Sequence, residues 1–222
     1  MADPRIRHFQ DDLEQLQARL LEMGGLAEEH VRAAVRALVE RDLALVEKVL
    51  GGDAAINRFH VEIDDRCVKL LALHQPMAVD LRSIVAAVKI NSDLERVGDL
   101  AVNIAETVQR YLQHPPGREL TDIPGMAELA QHMLRDALDA FVRRDLDLAH
   151  HVLHEDDALD SLKTEMFRQL LAYMLADPAT IEPSLDLILI SRHLERIGDH
   201  ATNVAEDVIF MVSARDVRHQ GM

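Results

Sequence analysis

Oxygen ligands recur at helical spacing in this chain, in two closely matching runs one hundred residues apart. Glu95, Asp99, Asn103 and Glu106 follow a 4-4-3 spacing, and Glu195, Asp199, Asn203 and Glu206 repeat it. Such spacing keeps all four side chains of a run on one helical face, with i, i+4 neighbours about 6 Å apart along the axis. Asp156 and Asp160 form a further pair of this kind, and Asp53 and Asn57 form another with an amide in place of one acid. Like charges at i, i+4 repel, and the penalty grows with burial unless a positive group sits between them. Carboxylates gathered from several helices suit Mg²⁺, Mn²⁺ or Ca²⁺, or iron when imidazole joins. The competing reading is a solvated acidic face whose charge Arg96 and Arg196 neutralise. Both readings stay open on spacing alone.

Histidine offers less. The one notable cluster is His150, His151 and His154 followed by Glu155-Asp156-Asp157; His150 and His154 share a helical face and could hold a transition metal, although an exposed polar helix end explains them better. His193, aligned with Asp93, could add an imidazole beside Glu195, a weaker signal. Gly98 and Gly198 each weaken a helix interior by about 1 kcal/mol relative to Ala, so they imply either close helix approach or room for a ligand.

The elements that position these residues come from a duplication. Residues 94–106 and 194–206 are identical at nine of thirteen positions, and two more exchange Val and Ile. Arg41-Asp-Leu-Ala-Leu likewise matches Arg144-Asp-Leu-Asp-Leu, carrying Asp53 onto Asp156 and Asn57 onto Asp160. Helical periodicity dominates and no stretch alternates as a strand does. It predicts helices over 5–40, 42–74, 76–113, 125–143, 145–176 and 183–213, broken by Pro76, by His114-Pro-Pro-Gly-Arg and by Asp177-Pro178. The implied fold is all-α: two tandem antiparallel three-helix bundles, residues 1–114 and 125–222, joined by a linker over 115–124.

Composition agrees. With 222 residues, no Trp and 3% aromatics, the chain has the aliphatic balance of a helical bundle. Its net charge of −15 repels phosphate backbones, so no nucleic-acid partner is expected. Cys67 alone can form no intramolecular disulfide, which together with an N-terminus lacking an apolar signal segment points to the cytoplasm. It falls in a helical pattern and reads as a buried thiol. No apolar run is long enough for membrane insertion. Phosphate-binding Gly loops, a His-Glu-x-x-His zinc motif, the Glu-x-x-His pairs of di-iron bundles and a nucleophile with a positioned base are all missing from the sequence.

Leu94-Glu-Arg-Val-Gly-Asp-Leu-Ala-Val-Asn-Ile-Ala-Glu106 and its second copy resemble the signature of the PhoU family, as do Leu71-Ala-Leu-His-Gln-Pro-Met-Ala-Val-Asp-Leu-Arg82 and the Arg-Asp-Leu-x-Leu turns. The resemblance covers essentially the whole chain. It implies tandem three-helix bundles and a regulator rather than an enzyme: a cytoplasmic homodimer, peripheral to the inner face of the plasma membrane through its partners. Those partners would be the ATPase subunit of a phosphate transporter and a membrane sensor histidine kinase, and the role negative regulation of phosphate uptake and of the phosphate-starvation response. Some family members bind multinuclear iron or zinc clusters and others are metal-free. The family's metal motifs fall here on Glu95 and Asp99, on Glu195 and Asp199, and on Asp156 and Asp160, while Asn57 departs from the pattern. The alternative is a carboxylate-bridged metal-storage bundle or metalloenzyme.

Overall fold

The computed structural model describes residues 4–115, 122–215 and 217, with side chains from His8 onward. Six long helices run in chain order: α1 Pro4–Glu40, α2 Leu43–His74, α3 Ala78–Tyr111, α4 Ile123–Arg143, α5 Leu146–Ala176 and α6 Ile181–Ser213. No strand occurs among the described residues. The all-α expectation holds, and each predicted helix is present. Most of the expected linker, including Pro116, Gly117 and Arg118, lies outside the described residues.

The repeated Arg-Asp-Leu segments are the tight turns between the first two helices of each half. Arg41 and Arg144 take left-handed backbone (φ 53° and 56°), which ends the preceding helix. Asp42 and Asp145 then cap the next one: Asp42 accepts from the Ala44 amide at 2.8 Å, and Asp145 from those of Asp147 and Leu148 at 3.0 Å each. α2 stops at His74, where left-handed Gln75 donates its N–H to the Leu71 carbonyl just before Pro76. Three starts differ from the predicted ones by two residues, and α3 is the late one, beginning at Ala78 because Pro76 lies before its cap, Met77, rather than in its first turn. α4 begins at Ile123 and α6 at Ile181, because Pro124 and Pro183 sit in first turns whose amides have no helical partner to lose.

Within each half the three helices touch pairwise, and the halves meet through α3 against α6 and α1 against α4. Both seams are antiparallel: Arg82 reaches the Met211 carbonyl near one end of α3 and Arg110 meets Asp186 near the other. Likewise Arg135 of α4 pairs with Glu28 of α1, while Gly24 lies under Leu138. Helices α2 and α5 flank this centre, each touching only helices of its own half. Leu13, Leu16, Leu20, Met23 and Val31 form the buried stripe of α1, and the buried residues of both halves make one continuous cluster. Gly24 and Gly25 do not interrupt α1; at 24, a side chain would collide with Leu138. Cys67 is fully buried, and burial pushes its thiol up to about 12, too high for a reactive thiolate near neutrality.

Candidate functional site

Gly198 brings α6 close to α5. A side chain there would strike Leu159 and come within 3.6 Å of Asp156 Oδ1, so the close-approach reading of this glycine holds. Asp156 therefore points at the α6 run. Burial, then the charges of Asp199 and Asp160, push its carboxyl up to about 6. Asp199 is also raised, first by burial and then by Glu195. The four expected ligands of this half, Asp156, Asp160, Glu195 and Asp199, thus share one electrostatic neighbourhood.

Lys163 stands among them. Its Nζ donates to Asp160 Oδ1 at 2.8 Å and to Glu195 Oε1 at 2.6 Å, and these bonds hold the ammonium charged up to about 12. The sequence reading missed it, although its place one turn after Asp160 on the same face was the available signal.

The α2–α3 face differs. Gly98 again permits contact, since a Cβ there would lie 2.8 Å from Ile56 Cδ1. Asp99 is raised by partial burial and by the charge of Asp53. Asn57 donates its amide to Asp53 Oδ2 at 2.7 Å. His60, aligned with Lys163, turns instead toward Asp64 at 3.5 Å and the Asn91 carbonyl. Neither the Glu95 nor the Asp99 side chain makes a hydrogen bond or ion pair among the described residues.

Several expectations need correction. Arg96 and Arg196 make no ion pair among the described residues, so they do not neutralise the stripe. Asn203 does not face α5 but donates across the seam to Asp93 Oδ1 at 3.3 Å. His193 does not join Glu195: burial, Arg196 and Arg192 lower its imidazole, and its Nδ1 is buried without a partner. His150 and His154, by contrast, are exposed as a polar helix end would be, and His154 donates its ring N–H to the His150 carbonyl.

The donor set fits a cation in chemical type. Asp156 and Asp199 repel each other, and a divalent ion would relieve this. On the α5–α6 face Lys163 already supplies part of that positive charge, so an ion ligated by Asp160 and Glu195 would have to displace its ammonium. On the α2–α3 face Glu95, Asp99 and Asp53 meet no lysine ion pair. Among the described residues, only His132, Asp136 and Glu155 place three ligand atoms within 4.8 Å of one another.

Comparison with known proteins accounts for nearly the whole chain. The PhoU domain model matches it twice, over residues 20–108 and 123–208. The phosphate-specific transport system accessory protein PhoU homolog of Pseudomonas putida is 42% identical over 217 residues, covering 97% of this chain and 85% of the relative. The crystal structure of PhoU from Pseudomonas aeruginosa superposes with a TM-score of 0.89 at 39% identity, covering 93% of this chain and 100% of that one. The phosphate transport system regulatory protein PhoU from Streptococcus pneumoniae gives 0.86 at 28% identity, covering 94% and 99%.

Proposed function

Starting from the fact that this chain belongs to the PhoU family, we propose that it is a negative regulator of phosphate uptake and of the phosphate-starvation response. It acts by contact with partners rather than by catalysis. The observation that carries this reading is the double match of the PhoU domain across both halves, together with relatives whose names are those of phosphate transport accessory proteins.

No helix among the described residues is long and apolar enough to cross a membrane, so an effect on a transporter must pass through protein contacts. Exposed apolar side chains at the α2–α3 turn, Leu73 and Met77, and at the α5–α6 turn, Leu175 and Ile181, support such contacts. Because the α3–α6 seam is antiparallel, these turns lie at opposite ends of it. In the proposal the chain works as a cytoplasmic homodimeric adaptor between the transporter's ATPase subunit and a sensor histidine kinase. Metal held by the repeated acids belongs to the same proposal, through Glu95 and Asp99 in the first half. In the second half it would use Glu195, Asp199, Asp156 and Asp160 once Lys163 has been displaced.

Deleting the gene and measuring phosphate-repressible phosphatase output in phosphate-rich medium tests the reading. Output should rise to the starved level and fall again when the gene is restored. Normal repression in the deletion strain would overturn it.

A further inference from the structure

A different part of the molecule gathers metal ligands more tightly than the repeated stripe does. On α4, His132 and Asp136 stand one helical turn apart with Nδ1 and Oδ2 separated by 3.6 Å. On the facing stretch of α5, Glu155 brings Oε2 within 3.6 Å of the same His132 Nδ1. These separations are too long for hydrogen bonds. They suit atoms sharing one ion: two ligands about 2.1 Å from a tetrahedral metal are about 3.4 Å apart.

A second, independent observation concerns Glu155. Its Oε2 is buried and has no hydrogen-bond partner, although the side chain is only 19% exposed. A buried carboxylate oxygen without a donor lacks compensation for its lost water, and a cation beside His132 and Asp136 would supply it. The other oxygen, Oε1, lies 3.7 Å from His151 Nε2, one turn earlier on α5. At that separation it makes no hydrogen bond to the carboxylate. The half-exposed His132 ring leaves the outer side of the group open to water as a further ligand.

We propose that His132, Asp136 and Glu155 form a binding site for one borderline divalent cation of the zinc class. One imidazole and two carboxylates suit zinc better than Mg²⁺ or Ca²⁺, which prefer all-oxygen sites. The site is separate from the repeated acids: Asp156 turns to α6, whereas Glu155 turns to α4. It is also particular to the second half. The residue aligned with Glu155 is Gly52, and the His30 ring lies against it. The proposal stands whether or not the regulatory reading does.

The test uses the full chain, stripped with chelator and titrated with zinc ion alone by calorimetry, then with Co²⁺ read by visible absorption. The parent should bind zinc through these residues and give the intense absorption of tetrahedral Co²⁺. His132→Ala, and separately Glu155→Gln, should weaken that binding at least tenfold and abolish the Co²⁺ band. A variant carrying Asp99→Asn and Asp199→Asn should keep the Co²⁺ band and this binding step. His132 is half exposed, so circular dichroism of His132→Ala should match the parent. Should Glu155→Gln fail to fold, His132→Ala and His132→Gln decide the matter. An absent zinc signal, unchanged affinity in His132→Ala, or loss of the Co²⁺ band in the Asp99→Asn plus Asp199→Asn variant would overturn the proposal.

Discussion

The α2–α3 and α5–α6 faces carry the same Leu-Glu-Arg-x-Gly-Asp segment but balance its charge differently. Around Glu195 and Asp199, Lys163 bridges two acids with bonds of 2.6 and 2.8 Å. Around Glu95 and Asp99, Asn57 turns to Asp53, and His60 looks away toward Asp64. The repeated glycine fixes how close the paired helices come, while the facing helix decides what charge they meet. A duplicated motif is therefore a duplicated geometry but not a duplicated electrostatic site.

The largest effect expected on this contrast comes from Lys163→Met. Removing the ammonium leaves four neighbouring acids without their bridging cation and should cost about 2 kcal/mol in urea unfolding at pH 7.5. Divalent cations should then recover part of the loss. His60→Met, at the aligned position, should change stability far less and gain no such dependence. Equal losses in the two variants would mean that the faces are balanced alike after all.

Next in size is a pH effect. An acid whose titration point is higher in the folded protein favours unfolding as pH rises, because the folded state then holds a charge it tolerates poorly. For Asp156 that cost develops as pH passes from 3.8 to about 6 and is complete above. Asp156→Asn should accordingly raise stability by about 1 kcal/mol at pH 7.5, after allowance for solvent screening, and give no gain near pH 4. Asp99→Asn should follow the same sign with a smaller gain, since Asp53 is the only charge raising it. A gain persisting at pH 4 would point to something other than charge.

The smallest difference separates the two glycines. Gly98→Ala would press on Ile56 through both Cδ1 and Cγ2, at 2.8 and 3.1 Å, and a β-branched residue cannot easily rotate away. Crowding should outweigh the gain in helix propensity by about 1 kcal/mol. Gly198→Ala meets the end of an unbranched-Cβ leucine, Leu159, and should be nearly neutral. Thermal unfolding of the pair would show a reversal if helix separation, rather than side-chain stiffness, governs the cost.

Much of this was legible in advance. Periodicity and prolines locate six helices, and the Arg-Asp-Leu repeats mark turns whose capping geometry the structure shows. The missed starts at Ile123 and Ile181 have one cause: a proline in the first turn resembles a boundary. The acids of the stripe were visible because they repeat. Lys163 does not repeat, because its counterpart in the first half is His60. On α5 the stretch from His150 to Asp157 stands out as a cluster of imidazoles and acids, but spacing alone pairs His150 with His154 as readily as His151 with Glu155. Only the approach of α4 brings His132 and Asp136 to that face, and no spacing along one helix reports a neighbour.

The seam between α3 and α6 bears on the history of the chain. A single ancestral half could have paired with itself across such an antiparallel seam. The present one no longer favours that exchange. Asp93 meets His200 at 2.8 Å, Lys89 meets Asp207 at 2.7 Å and Arg110 meets Asp186 at 3.2 Å. At the corresponding places in the first half stand Leu100, Thr107 and Ala86. Two first halves brought together would bury Asp93 without its imidazole and leave Lys89 and Arg110 without acids. The copies have diverged into complements, each supplying the partners that the other's seam residues meet.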